Sequence, residues 1–238
     1  MLRCLHNELP LNDTRFSTVR QAMWHGVDLT RSEKDLWLGF SGSARTRVRK
    51  AGRNGVVVRE RKDLEAVRMF YRMHVKLRKS KYHMLAQPFA FFENLHQLFG
   101  EQLTVLLAEA KGVPVAGIFF LQWADTLYYK FNASVDSTLC SNDLLLWEGI
   151  RLGRRSGLAR LDLGLSDLGQ PGLINYKRKY ATEERKISML RWQPPGYADA
   201  RGEQIGHVFN RITQLLVDPG VPDEVTGAAG DEIYRYFC

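Results

Sequence analysis

Ser141-Asn142-Asp143, Leu161-Asp162-Leu163-Gly164 and Asn175-Tyr176-Lys177-Arg178-Lys179-Tyr180 punctuate the stretch from Leu103 to Trp192. That stretch reads as strand, strand, strand, helix, strand, short helix, strand. Leu103–Glu109 and Val115–Trp123 flank Lys111-Gly112-Val113-Pro114, a hairpin loop, and Ala124-Asp125 separates the second strand from a third, Thr126–Ser134. Strict alternation puts Leu127, Tyr129, Phe131 and Ala133 on one face of the third strand and Tyr128, Lys130, Asn132 and Ser134 on the other. A polar face on a mid-sheet strand is either the wall of a solvent-filled cleft or the outer side of a half-exposed antiparallel strand.

Asn142 reads as the N-cap of the long helix, with Asp143 at the first helical position and Leu144, Leu145, Trp147 and Ile150 as its buried side. The helix is predicted to end near Gly157, and Arg160–Gly164 is the next strand. A strand, a helix and a strand at this spacing form a parallel crossover. Three antiparallel strands therefore lead into a parallel pair, and a sheet that changes sense in this way can splay open and admit a ligand. The expected fold is α/β (α+β): a mixed, mostly antiparallel central sheet of at least six strands, flanked by helices, with a splayed parallel strand pair.

Outside this stretch the pattern weakens. Residues 1–43 show two short elements, around Thr18–Trp24 and Glu33–Phe40. Residues 44–191 hold the periodic material, including Val56-Val57-Val58 after the turn dipeptide Asn54-Gly55. Residues 192–238 open with the break Gln193-Pro194-Pro195-Gly196 and carry an amphipathic segment, Ile205–Val217, closed by Pro219-Gly220-Val221-Pro222. The expected division is an extension over 1–43, a domain over 44–191 and a helical extension over 192–238. No internal repeat or low-complexity tract is present.

The 238 residues are 45% hydrophobic and 25% charged, enough for a sizeable core. No apolar run is long enough to cross a membrane. Met1-Leu2-Arg3-Cys4-Leu5-His6 lacks the apolar core of a secretory signal. Cys4, Cys140 and Cys238 have no disulfide-framework or metal-ligand spacing. The cytoplasm is the expected location, with the inner face of the membrane left open. A net charge of +8 fits a polyanionic partner (RNA, a nucleotide pyrophosphate or an anionic membrane surface) or a plain basic bias.

The charge is clustered. Arg45, Arg47, Arg49, Lys50, Arg53, Arg59, Arg61 and Lys62 share one short segment in which Glu60 is the only acid. A helix then starts at Asp63-Leu64-Glu65, with acids placed to complement its dipole. Arg68, Arg72 and Lys76 recur every four residues on one face of it, as a solvated stripe or an anion-binding one. His74 and His83 have no companions suited to a metal and read as surface or core residues, so no metal is expected.

Taken in order, these motifs resemble the FemAB branch of the GNAT N-acyltransferase superfamily. Arg45–Val58 resembles that branch's R-x-x-IRKA-x-x-x-GV segment. Pro88-Phe89-Ala90-Phe91-Phe92 resembles its P-x-x-FF helix opening, and Asn142–Trp147 its N-x-LLLW helix. Asp162-Leu163-Gly164 with Gly172–Lys177 resembles its DLG…GL-x-x-FK segment, with Tyr176 in place of Phe. The likeness covers roughly residues 27–191. Members of the branch commonly carry two such domains in tandem. This chain has room for one, with residues 1–43 as a remnant of, or linker from, a first copy. A missing acceptor site would then come from a dimer or a second GNAT-containing chain.

The resemblance implies transfer of an acyl or aminoacyl group from an activated donor to an amine acceptor, often in cell-wall or polysaccharide synthesis. The donor would be acyl-CoA or aminoacyl-tRNA, and the acceptor is left open. It implies catalytic roles for Lys177, which by pattern alone also fits a solvated basic run, and for Asp162 and Tyr176. Donor-binding roles fall to Ser141 and Asn142 at a helix N-terminus, Lys130 and Asn132 on the polar strand face, and Arg68 and Arg72 on the stripe. The coenzyme A signature Q/R-x-x-G-x-G/A is missing before the Ser141 helix, and Asp143 would oppose a phosphate there. A literal match at Arg154–Ala159 lies at the wrong end of that helix. The alternative is a catalytically idle GNAT-like module that binds RNA or a partner protein through the basic segment.

Overall fold

The computed structural model describes residues 1–4, 9–194, 196, 197 and 199–236. Among these, eight strands form one sheet: β1 (Leu2–Arg3), β2 (Phe16–Asp28), β3 (Val56–Arg61), β4 (Leu103–Ala110), β5 (Val113–Trp123), β6 (Thr126–Ser134), β7 (Arg160–Asp167) and β8 (Glu183–Trp192). Their order is β1-β8-β2-β7-β6-β5-β4-β3. The β6–β7 pair is parallel and the other neighbours are antiparallel. This is the mixed sheet the sequence predicts, with Leu103–Ser134 as an antiparallel meander.

Helices cover both faces. Helices α1 (Glu33–Gly39), α2 (Gly42–Arg53) and α5 (Ser141–Arg155) pack on one side, where Leu36, Val48, Leu145 and Ile150 meet Leu106, Phe120, Leu127 and Leu161. Helices α3 (Leu64–Tyr82) and α4 (Phe89–Phe99) cover the other, where Phe70 and Phe92 meet Leu103, Leu107 and Phe119. Leu103–Ala108 of β4 is buried on both faces, which is why, Thr104 apart, it reads as an apolar run with no alternation. Ser41 and Asp63 cap α2 and α3 by accepting the amides of Ala44 and Ala66. Helix α6 (Pro171–Arg178) starts with a proline, whose fixed φ suits a first turn. Helices α7 (Ala200–Leu216) and α8 (Asp223–Ile233) complete the chain, and Lys79 of α3 ties to Asp223 at 3.0 Å.

Several expectations change. The loop between β4 and β5 is Lys111-Gly112 alone, both at positive φ, as in a two-residue hairpin turn; Val113 and Pro114 belong to β5. Asn142 is not the N-cap of α5: Cys140 takes that place at φ 59°, and Asn142 is the second helical residue. The segment around Thr18–Trp24 is part of a 13-residue strand, β2, set between β8 and β7, so the sheet crosses the boundary expected at residue 44.

The strict alternation in β6 also fails. Phe119 pairs with Phe131 and Phe120 with Tyr129, so Lys130 is an extra residue, a β-bulge. Leu127 and Tyr129 therefore join the α5-side core, whereas Tyr128, Phe131 and Ala133 join the α3–α4 side.

Candidate active site

β6 and β7 pair only at Thr126–Arg160, Leu127–Leu161 and Tyr128–Asp162. Beyond this point each strand departs. β6 bulges at Lys130, and β7 has one extra residue opposite β2, where Trp24 pairs with Leu165 and Gly26 with Asp162. Gly164 takes φ 70° within that irregularity, a conformation open to glycine without steric cost. The strands open onto a cleft of about 550 Å³ walled by Tyr128 and Lys130 of β6, Asp162 and Gly164 of β7, Trp24 of β2 and Lys177 of α6.

Lys177 reaches this cleft from α6 and is 6% exposed. Its ammonium donates to the carbonyls of Leu165 at 3.0 Å and Gly164 at 3.3 Å. Two of its three protons are thereby directed to backbone and one remains for a ligand. Burial pushes its pKa down to about 8, and the nearby Asp162 carboxylate opposes that shift.

Asp162 is held as firmly. Its Oδ1 accepts the Gly164 amide at 2.6 Å and the Trp24 indole N–H at 3.0 Å. The six-membered ring of Trp24 reaches over Gly26, where a Cβ would come within 2.4 Å of it, so a glycine is required there. The Arg185 guanidinium covers the ring at 5.6 Å.

The N-terminus of α5 is occupied by the protein's own groups. The buried Asp143 carboxylate accepts Arg47 Nε at 2.9 Å and the hydroxyl of Tyr180. Asn142 Oδ1 accepts Asn132 Nδ2 at 3.0 Å, and its carbonyl accepts the Tyr176 hydroxyl at 3.1 Å. Ser141 is buried, and its hydroxyl has no partner among the described residues. Asn132 thus faces α5 rather than lining the cleft beside Lys130, a consequence of the bulge. Tyr176 braces α6 against α5 and packs on Tyr180, with ring centroids 5.4 Å apart. Burial raises its pKa well above the ordinary value, and it is not among the cleft-lining residues.

The basic segment is largely spent on architecture. Arg45 donates to the carbonyls of Trp37, Leu38 and Phe40, closing the end of α1. Arg59, Arg61 and Lys62 pair with Glu109, Asp63 and Glu101 at 3.7, 2.6 and 3.0 Å. Arg68 and Arg72 are exposed on α3, and neither lines the cleft; Arg68 lies 3.8 Å from Glu65 and over the Phe89 ring.

The structure thus brings together Lys177, Asp162 and Lys130 from the expected set. It holds Tyr176, Ser141, Asn142 and Asn132 at the α5 end and leaves Arg68 and Arg72 outside. Sequence reasoning missed Trp24 entirely. The available signal was a glycine two residues after a tryptophan in a strand, which marks a close approach. Among the described residues no cluster of three or more His, Cys, Asp or Glu could hold a metal, and no helix is long and apolar enough to cross a membrane.

No curated protein matches the chain. In fold it is similar to FemX, with a TM-score of 0.62 and 12% identity over 84% of this chain; it spans 66% of the FemX chain. It is similar to the C-terminal domain (DUF2156) of a protein described as a lysylphosphatidylglycerol synthetase from Agrobacterium fabrum: TM-score 0.56, 13% identity, 88% of this chain and 69% of that one. It is also similar to L-PGS from Bacillus licheniformis, with a TM-score of 0.53 and 14% identity, covering 84% of this chain and 66% of that one. In sequence, the acetyltransferase (GNAT) domain family matches residues 40–178. That match takes in more than half of the chain, from the residue after α1 through the end of α6, and the chain belongs to the GNAT acetyltransferase-domain family of acyltransferases.

Proposed function

We propose that the β6–β7 cleft transfers an aminoacyl group from an ester donor, an aminoacyl-tRNA, to an amine acceptor, with cell-envelope precursors as the acceptor class. The observation that carries this reading is that the buried Lys177 ammonium and the Asp162 carboxylate line one cleft where β6 and β7 part. The amine nitrogen attacks the ester carbonyl. A C–N bond forms, the C–O bond breaks, and one proton passes from the amine to the departing hydroxyl. The tetrahedral intermediate carries an oxyanion, which the free N–H of Lys177 stabilises.

The α5 terminus favours the ester over coenzyme A. A pyrophosphate placed there would meet Asp143, already satisfied by Arg47 and Tyr180. The fold shared with a protein named as a lysylphosphatidylglycerol synthetase agrees with an aminoacyl donor. An idle module binding through the basic segment is less well supported, because Arg45, Arg47, Arg59, Arg61 and Lys62 already have partners within the chain.

The test supplies either mixed aminoacyl-tRNA or acetyl-CoA, with hydroxylamine as a general acceptor, and measures hydroxamate. Turnover is expected with the ester donor, and Lys177→Ala should lower it about 100- to 1000-fold. Turnover with acetyl-CoA alone would overturn the donor assignment. Undiminished turnover in Lys177→Ala would overturn the site.

A further inference from the structure

The two oxygens of Asp162 are treated differently by the protein. Oδ1 accepts both the Trp24 indole N–H at 3.0 Å and the Gly164 amide at 2.6 Å, whereas Oδ2 accepts no hydrogen bond from the described residues. The carboxylate lines the cleft, so its unpaired oxygen is the one available to a ligand. Each element of the clamp is fixed. Trp24 is 3% exposed, its ring is seated on Gly26, and Gly164 sits at φ 70° to present its amide. An unpaired carboxylate oxygen in a half-buried site seeks a donor, and a charged N–H gives the strongest bond. The other cleft groups contribute donors but no second free carboxylate: Arg20 ties up Asp167, and Lys177 is bound to carbonyls.

Building on the reading of this cleft as the transfer site, we infer that Trp24 is a positioning residue, whose indole N–H, with the Gly164 amide, fixes Asp162 so that Oδ2 docks the ammonium group of the acceptor. Docking there sets the amine beside Lys177, whose charge Asp162 already feels. The acceptor is accordingly a primary amine that arrives protonated, releases one proton to solvent water in the cleft before attack, and passes the second to the departing hydroxyl after it.

The indole N–H resonance of Trp24 in a nitrogen–proton correlation spectrum reports on this site without any turnover. n-Propylammonium chloride is titrated into the donor-free protein, and Trp24 is assigned by its loss in Trp24→Phe. The Trp24 signal is expected to shift saturably, and Asp162→Asn should abolish the response while the other indole signals stay in place. Replacing Trp24 by 3-benzothienylalanine preserves the packing but removes the donor. It should raise the KM for n-propylamine roughly 10- to 100-fold, the weight of a hydrogen bond to a charged group, with the donor KM unchanged. In an Asp162→Asn background the same replacement should change acceptor KM less than about twofold, since there is no charge left to position. An unmoved Trp24 resonance, or equal changes in donor and acceptor KM, would overturn the inference. If Lys177→Ala keeps full turnover while the ammonium response persists, the transfer reading fails and the docking site stands.

Discussion

Arg47 of α2 and Asp143 of α5 meet at 2.9 Å across the helix pair, and the carboxylate is almost fully buried while the guanidinium is about half exposed. The contact sits at the N-terminus of α5, where a helix would otherwise offer open amides to an anion. It also joins α2, the helix of the basic segment, to the helix that follows the parallel crossover.

Asp143→Asn should therefore be costly. It removes the charge that compensates Arg47 and weakens the acceptor of the Tyr180 hydroxyl. We expect a loss of about 2 kcal/mol, below the full cost of breaking a buried pair because Arg47 is partly solvated. Urea unfolding measures it, and a loss under about 0.5 kcal/mol would place the pair with ordinary surface ion pairs.

The pH profile of turnover should identify the form of Lys177 that acts. With a pKa of about 8, the ammonium is lost as pH rises through that value. Oxyanion stabilisation by the charged form predicts a falling alkaline limb near pH 8 in kcat. Lys177→Arg should retain part of the rate and lose that limb, because a guanidinium stays charged throughout. A falling limb that persists unchanged in Lys177→Arg would assign the titration to another group and overturn this role for Lys177.

The same group links stability to pH. Folded Lys177 releases its proton near 8, against 10.5 for the ordinary side chain. Between these values the unfolded chain holds more protons, so stability rises with pH across that window; below pH 8 the full cost of burying the charge is present. Lys177→Met should be more stable than the wild type at pH 7 by about 3 kcal/mol, and the gap should close toward pH 10. Paired thermal melts from pH 7 to 10 test this, and a constant gap would refute it.

His74 works at the acid end. It is buried against Phe70 and Phe92, its Nε2 meets Gln87 Oε1 at 2.8 Å, and burial lowers its pKa to about 4. Between pH 6.5 and 4 the unfolded chain takes up a proton that the folded one refuses. The contribution is intact above 6.5 and falls as the medium is acidified, by about 3 kcal/mol in all. His74→Leu should flatten the stability profile over that range in denaturant titrations. An unchanged slope would mean that His74 stays solvated.

Gly26→Ala tests the seat of Trp24 by geometry alone. The added methyl would lie 2.4 Å from the indole, so the ring must tilt off the strand. A destabilisation of about 1 to 3 kcal/mol is expected from overpacking. Under conditions where the variant remains folded, the Trp24 indole resonance should move toward its unbonded position as the bond to Asp162 is lost. A wild-type resonance would show that the ring had slid without releasing the carboxylate.

The sequence by itself determined the order of the elements from Leu103 to Trp192, the antiparallel meander, the crossover through α5, and the presence of Lys177 and Asp162 on neighbouring elements near a splayed pair. These rest on local regularities: apolar runs where a strand is covered twice, helical spacing, and turn dipeptides at the joints. Tertiary structure decided what each charge does. Arg45 reads as part of an anion-binding cluster, yet it closes α1, and Arg47 is consumed by a carboxylate 96 positions away. The bulge at Lys130 shows the same limit, because a strand's alternation is written locally, whereas the place where it slips is set by the partner strand. Trp24 and Asp162, 138 positions apart, carry no mutual signal in the chain. A hydrogen bond depends on which backbone brings its donor and acceptor within about 3 Å, and for residues this distant only the packed sheet settles that.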